Sequence, residues 1–235
     1  RDRLSFEVEI NEVAAGLLFT ADGCRLEAFP TSHTVPSIGI SLVESDRPGA
    51  FDLDAARALG VPEGPLFGRL QRGEPITTPH GTTVGPDQVL GAPRPSRSLV
   101  FTGDTTPSEM TRTAARGVTV LVHEATFLDE DRERASETAH STARQAAEIA
   151  AAAQVDLLAL THISSRVNPR DTKREASQVF EPVIVPRDFE QLEVPYPERG
   201  APVLTDLRQR ARRGTSEDGA ATLPSEQSPE GGTTL

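Results

Sequence analysis

Residues 99–107 read LVFTGDTTP, and this stretch decides the fold that the sequence predicts. Three apolar residues lead directly into Thr102, Gly103 and Asp104, so a short buried strand is predicted to end beside a carboxylate. From here to residue 194, strand-like and helix-like patterns alternate, which is typical of an α/β protein. Loops at one end of such strands converge, so the residues that follow the strands are the first candidates for a functional site.

Patterns on both sides of this stretch complete the predicted architecture. Residues 3–43 are predicted to form a β-meander whose first strand covers residues 4–10, because apolar and polar residues alternate there. Ser141 is the predicted N-cap of an alanine-rich helix. Further strands are predicted at residues 118–122, 156–160, 183–185 and 192–194, and helices at residues 108–116, 141–153 and 171–180.

Composition excludes several classes of protein. The 235 residues carry a formal net charge of −11, which argues against indiscriminate binding of nucleic acid. A single cysteine, Cys24, excludes an intramolecular disulfide and a cysteine-based zinc cluster. No apolar run approaches the roughly 20 residues that cross a bilayer, so we expect no membrane partner.

Residues 46–95 interrupt the α/β pattern. Glycine and proline are dense there and only residues 52–59 favour a helix, so we predict a flexible arm that leaves the domain and returns to it. Residues 1–45 and 96–207 are predicted to form the α/β domain. The Ser, Glu, Gly, Pro and Thr composition of residues 208–235 predicts a disordered tail.

Three metal-capable side chains follow predicted strands, namely His33, Asp104 and His162. A carboxylate and two imidazoles form a ligand set that Zn²⁺ accepts, so a metal site is predicted where the three strands end. Each residue also has a purely structural interpretation. Asp104 could cap the helix that begins near Pro107, and either histidine could be an ordinary polar residue leaving a strand.

Three other polar residues are candidates for chemistry or substrate binding. His140 precedes the alanine-rich helix and could be a general acid, a phosphate-facing imidazole or a solvated residue. Glu124 ends a predicted strand and could orient a histidine by accepting its N–H. Arg166 could bind a phosphate or cap a loop.

Six stretches of the sequence occur in an order that resembles ribonuclease Z, the tRNA 3′-processing endonuclease family of the metallo-β-lactamase superfamily. The resemblance covers about residues 4–195. The stretches are SHTVPSIG (32–39), EGPLFGRLQRGE (63–74), FTGDTTP (101–107), HEATF (123–127), AHSTARQAA (139–147) and LTHISSR (160–166).

The resemblance implies a metallo-β-lactamase αββα sandwich, a zinc-dependent endoribonuclease activity and a role for each candidate residue. His33 and His162 are each expected to bind one of two zinc ions, and Asp104 is expected to bridge both. His140 is expected to protonate the leaving 3′ oxygen, with Glu124 as its acidic partner. Attack by a metal-activated water would then release the 3′ trailer of precursor tRNA.

The resemblance also gives the arm a function. Residues 46–95 are expected to bind the tRNA, with Gly64 and Pro65 at the family's GP motif. Arg69 and Arg72 lie in a stretch without an acid, residues 64–73, and predict a basic tip that meets the RNA backbone. Arg166 is the further predicted substrate contact.

One family motif, HxHxDH, does not occur in the 235 residues. This motif supplies the remaining histidine ligands, so the chain is expected to be a C-terminal part that lacks an N-terminal segment and is inactive alone. The family further implies a homodimer and a cytoplasmic location. Two alternatives are a non-catalytic tRNA-binding module and another phosphodiesterase of the same superfamily.

Overall fold

The structure is a computed structural model that describes residues 6–9, 11–21 and 23–207. The strands are β1 (Gly16–Ala21), β2 (Cys24–Thr31), β3 (Ser37–Glu44), β4 (Ile76–Thr77), β5 (Thr83–Val84), β6 (Ser98–Phe101), β7 (Val120–Glu124), β8 (Leu157–Thr161), β9 (Val183–Ile184), β10 (Glu190–Glu193) and β11 (Val203–Asp206). The helices are α1 (Leu53–Ala58), α2 (Pro65–Gln71), α3 (Glu109–Ala114), α4 (Arg132–Glu137), α5 (Ala143–Ala153) and α6 (Pro169–Ala176).

Seven strands form one sheet in the order β1-β2-β3-β6-β7-β8-β9. The pairs from β1 to β6 are antiparallel and those from β6 to β9 are parallel. Helices α3, α5 and α6 connect successive parallel strands, as parallel pairing requires. The predicted α/β fold is therefore confirmed.

The strand directions place four chain segments at one edge of the sheet. Strand β2 runs in the same direction as β6, because β3 is antiparallel to both. Strands β7 and β8 are parallel to β6. The carboxyl ends of β2, β6, β7 and β8 therefore lie at the same edge, and the loops that follow them meet there.

Helix α5 packs closely on one face of the sheet. Its alanines occupy most of its buried positions, and small side chains let the helix approach the strands. Leu121 and Leu158 are fully buried beneath it. This cluster is the main core of the body, and it fixes the loop at the start of α5 relative to the ends of β6, β7 and β8.

The opposite face of the sheet is apolar and partly open. Val120, Leu157 and Ala159 are buried there, with Leu192 and Val194 of the C-terminal segment packed against them. Phe101 remains 45% exposed beside this cluster. The described residues thus provide one helical layer and one large sheet of the expected αββα sandwich.

The segment predicted as an irregular arm has a core of its own. Helices α1 and α2 and the β4–β5 hairpin enclose six buried residues, namely Ala56, Val61, Leu70, Ile76, Val84 and Val89. The expectation that residues 46–95 hold only one helix was wrong. Helix α2 is not predicted from the sequence because Gly64, Pro65 and Gly68 resemble a turn. Proline at the first helical position is nevertheless compatible with a helix start.

Two smaller predictions also differ from the structure. Residues 6–9 form no strand, and the rest of the strand predicted at 4–10 lies outside the described residues, as does the predicted tail 208–235. Thr142, rather than Ser141, caps α5, and it forms a capping box with Gln145. Within the described part of the chain, every helix is too short or too polar to cross a bilayer.

We predict that Leu70→Ala loosens the arm and leaves the body intact. Leu70 is fully buried in the arm core, which shares no residue with the two clusters of the body. Leucine-to-alanine changes at such sites cost about 2–5 kcal/mol. Hydrogen exchange should therefore accelerate in α1, α2 and the β4–β5 hairpin but not in β7 or β8.

The matched control is Leu158→Ala, which removes an equally buried leucine from the body. It should accelerate exchange in β7 and β8 instead. Equal loss of protection in both regions for either variant would contradict an independent arm core.

Candidate active site

Four metal-capable side chains meet at the edge of the sheet where β2, β6, β7 and β8 end. His33 follows β2, Asp104 follows β6 and His162 follows β8. His140 reaches the same place from the loop before α5. The ligand atoms of His33, Asp104 and His140 all lie within 4.8 Å of one another.

His140 stands between the other two histidines. Its ring centroid lies 5.1 Å from that of His33 and 5.3 Å from that of His162. The Nε2 atom of His162 lies 3.3 Å from Oδ2 of Asp104. The structure thus brings together all three predicted ligands and adds His140 to the same group.

Hydrogen bonds fix the tautomers of two of these histidines. The Nδ1 atom of His33 lies 2.8 Å from the carbonyl oxygen of Ala139, and that of His140 lies 2.7 Å from Oε1 of Glu124. A carbonyl or a carboxylate can only accept, so both Nδ1 atoms carry protons and donate. Each Nε2 atom is left with a lone pair, which is the form in which an imidazole binds a metal.

Asp104 owes its position to the glycine before it. Gly103 has a φ of +62°, a conformation that glycine adopts without strain, and the chain turns there as it leaves β6. The interpretation of Asp104 as a helix cap is wrong, because Ser108 caps α3 by accepting the N–H of Thr111 at 3.1 Å.

Two residues other than glycine adopt left-handed backbone conformations at the site. Ala139 and His162 have φ values of 57° and 53°. Such conformations cost free energy and persist where the surrounding structure imposes them. Ala139 supplies the carbonyl that binds His33, and His162 is itself a predicted ligand, so both strained residues position site groups.

Glu124 is a buried carboxylate that collects five hydrogen bonds beneath the histidines. It is 1% exposed. Its Oε1 accepts from the N–H of Thr105 at 2.9 Å and from His140, and its Oε2 accepts from the N–H and hydroxyl of Thr126 and from the N–H of Ser141. A buried charge requires such compensation. Glu124 thereby joins the loops after β6 and β7 to the loop before α5.

Thr105 and Ser141 are site residues that the sequence interpretation missed. The Ser141 hydroxyl donates to the carbonyl oxygen of Thr105 at 2.7 Å, and the Thr105 hydroxyl accepts the N–H of Ser32 at 3.1 Å. These bonds connect the His33 loop to the loops of Asp104 and His140. Ser141 is predicted from the sequence as the N-cap of α5, a position that Thr142 occupies, and therefore has no predicted role in the site.

His123 is a buried histidine to which the sequence analysis assigned no role. It is fully buried, and its Nδ1 donates to the carbonyl oxygen of Glu124 at 2.7 Å. Its Nε2 atom has no hydrogen-bond partner among the residues that the structure describes. Burial lowers the pKa of His123, so this imidazole is neutral.

The predicted substrate-binding residues lie in two other places. Gly64 and Pro65 form the start of α2 in the arm. Arg69 and Arg72 follow in the same helix and its cap, but both donate to Glu74, at 2.9 and 3.2 Å. The arginine hydrogen bonds lower the pKa of Glu74, and this one carboxylate compensates part of the charge of the two arginines at the predicted basic tip.

Arg166 lies on the loop after His162 and is exposed. Its backbone N–H contacts the Ser164 hydroxyl at 3.4 Å. No carboxylate of the described residues pairs with its guanidinium, in contrast to Arg69 and Arg72. Arg166 therefore has its charge available for a ligand.

We predict that Glu124→Gln destabilises the protein. The amide nitrogen of a glutamine would face the N–H groups that now donate to the carboxylate, which leaves buried donors unpaired at a cost of about 1–3 kcal/mol. Urea denaturation would measure the loss. Glu109→Gln is the control, because Glu109 is exposed and pairs only with Arg112 three residues away on α3. Equal losses for the two variants would contradict the structural role of Glu124.

Comparison with known proteins gives these residues a family. Residues 73–163 match the family model described as a β-lactamase superfamily domain. Ribonuclease Z of Myxococcus xanthus is 48% identical over 197 residues, which are 83% of this chain and 64% of that protein. Ribonuclease Z of Haloferax volcanii is 48% identical over 195 residues, which are 81% of this chain and 62% of that protein.

A more distant relative and a solved structure complete the comparison. Ribonuclease Z of Archaeoglobus fulgidus is 42% identical over 200 residues, or 84% of this chain and 65% of that protein. The crystal structure of the short form of human tRNase Z is 22% identical with a TM-score of 0.46, and covers 76% of this chain and 46% of that one.

The chain spans a little under two thirds of the length of the curated relatives it matches. Within that span the identity of 42–48% extends over more than four fifths of the chain. The predicted resemblance is confirmed. Over more than four fifths of its length the chain is homologous to curated ribonuclease Z proteins, and it carries a β-lactamase superfamily domain.

Proposed function

We propose that this chain provides the C-terminal part of a metal-dependent endoribonuclease that removes the 3′ trailer from precursor tRNA. The observation that carries the proposal is the cluster of His33, Asp104, His140 and His162 at one edge of the sheet. Its two hydrogen-bonded histidines have their Nε2 lone pairs free. A site of this kind suits the hydrolysis of a phosphodiester bond.

The donor set of the cluster fits a divalent cation of the zinc type. His33, Asp104 and His162 would hold it, with two such ions in a site completed by residues of an N-terminal segment. Imidazole nitrogens together with a carboxylate are ligands that zinc accepts. When bound, such cations supply Lewis acidity to phosphodiester hydrolysis.

His140 and Glu124 are proposed to act on the leaving group. The hydrogen bond of 2.7 Å from Nδ1–H to Glu124 orients the His140 ring, and when Nε2 takes up a proton the ring can act as a general acid. That proton can be delivered to the leaving 3′ oxygen of the RNA. The ligand atom of His140 also lies near those of His33 and Asp104, so His140 could be a metal ligand instead of a general acid. The metal affinity of a His140 variant distinguishes these two roles.

The arm and Arg166 are proposed to bind the RNA. Arg69 and Arg72 share one acidic partner, Glu74, and all three side chains are at least partly exposed. RNA phosphates can therefore take the place of Glu74 as partners of the arginines, because the released carboxylate remains in contact with solvent. Arg166 adds an exposed cation on the loop that follows His162. A homodimer and a cytoplasmic location belong to the same proposal and rest on the family resemblance.

Zinc binding is the first test. We expect His33→Ala and Asp104→Asn to weaken zinc binding to this chain by at least about tenfold, since each removes a ligand. Isothermal titration calorimetry with zinc would measure the affinity. If His140 acts as the general acid, His140→Ala should retain a higher zinc affinity than His33→Ala and Asp104→Asn. His80→Ala is the control, because His80 is exposed on the arm. Equal affinities for all four variants would contradict the metal site.

RNA binding is the second test. We expect the chain to shift precursor tRNA in a native gel but to cleave it little, because part of the ligand set is absent. The double variant Arg69→Gln, Arg72→Gln should weaken the shift by about tenfold, or about 1.4 kcal/mol, while Asp104→Asn leaves it unchanged. Arg112→Gln on α3 is the control for lost charge. Efficient cleavage by this chain, or no shift at all, would contradict the proposal.

A further inference from the structure

Two chain segments join the arm to the body, and their backbones pair with each other. We call them the neck, which consists of residues 44–48 going out and residues 94–98 coming back. Arg47 and Arg94 exchange two backbone hydrogen bonds of 3.1 and 2.9 Å, and the N–H of Glu44 donates to the carbonyl oxygen of Arg97 at 3.0 Å. The neck is therefore a narrow two-stranded connection.

A third segment, residues 194–199, lies against the neck. The ring of Tyr196 has the Arg47 guanidinium 3.6 Å and the Arg97 guanidinium 4.5 Å from its centroid. These distances are within the range of cation–π attraction. Because Arg47 belongs to the outgoing segment and Arg97 to the returning one, a single tyrosine contacts both sides of the neck.

Glu198 strengthens the same contact. Its two carboxylate oxygens accept from the two terminal nitrogens of Arg47 at 2.6 and 2.9 Å, a bidentate geometry. Arg94 lies 3.7 Å from the same carboxylate. The hydrogen bonds from Arg47 lower the pKa of Glu198 to about 2, so the carboxylate is ionised at neutral pH.

The segment that carries these two residues is fastened to the body. Leu192 and Val194 pack on the apolar face of the sheet against Val120, Leu157 and Ala159. Arg97 also donates to the carbonyl oxygen of Val194 at 2.9 Å. The C-terminal segment therefore links the sheet that carries the active site to the base of the arm.

The arm has no core residue in common with the body. Its direction relative to the sheet consequently depends on the neck and on the contacts that hold the neck. Residues that fix this direction also fix the distance between an RNA bound at the arm and the histidine cluster. A ligand that must contact both places gains affinity when the two are held at matching positions.

We infer that Tyr196 and Glu198 are positioning residues for RNA binding, which hold the arm at a fixed angle to the active site through Arg47 and Arg97. The inference rests on the proposed function, because it takes the arm and the histidine cluster as two contacts of one RNA. Neither residue needs to touch the RNA for this role.

The experiment compares Tyr196→Leu and Glu198→Gln with two controls in the full 235-residue chain. Tyr196→Phe keeps the ring beneath the guanidinium groups. Glu193→Gln removes an exposed carboxylate from the end of β10, directly before residues 194–199. Spin labels at cysteines that replace His80 on the arm and Glu148 on α5, with Cys24→Ser to remove the native thiol, report the arm's direction without RNA.

We expect the label distance to be narrowly distributed in the unaltered chain and in both controls, and to broaden in Tyr196→Leu and Glu198→Gln. Affinity for precursor tRNA should fall by about tenfold in the same two variants. Affinity for zinc should not change in any of them. Unchanged zinc affinity also shows that the body of each variant is folded.

Each other result has a distinct meaning. Weaker RNA binding without a broader distance distribution would indicate direct contact with the RNA and overturn the positioning role. Unchanged distances and unchanged affinity would also overturn it while leaving the proposed function intact. If the unaltered chain fails to bind precursor tRNA, the proposed function fails, and the RNA-binding role of the two residues fails with it.

Discussion

The buried carboxylate of Glu124 is the constraint on which the site depends. It is closed off from solvent and needs hydrogen-bond donors, and it obtains five of them from the loops after β6 and β7 and from the loop before α5. The same requirement draws the three loops together. His140 is one of these donors and Asp104 precedes another, Thr105, so the positions of both follow from the solvation of one buried charge.

Sequence reasoning could place the candidate ligands because they depend on topology. His33, Asp104 and His162 each follow a strand, and the alternation of strands and helices predicts that parallel strands end at one edge. Glu124 could be placed for the same reason. The sequence could not show that Thr105 and Ser141 complete the site, since their hydrogen bonds join loops that come from distant parts of the chain.

The arm contains structure that the sequence could not predict. Its glycines and prolines favour turns, and their density concealed α2 and a core that forms only when the two helices and the hairpin fold together. The contact between Arg47 and Glu198 joins residues 151 positions apart, and no local pattern marks either of them. Surface ion pairs are seldom visible in a sequence, because one partner alone resembles any solvated charge.

The buried imidazole of His123 makes the fold sensitive to acid through proton linkage. Burial lowers its pKa in the folded protein, whereas in the unfolded chain the same ring would take up a proton at about pH 6.5. Below that pH the unfolded state binds more protons than the native state, so acidification shifts the equilibrium toward unfolding. The buried ring therefore leaves the free energy of unfolding almost unchanged near neutral pH, and its burial lowers that free energy progressively below about pH 6.5.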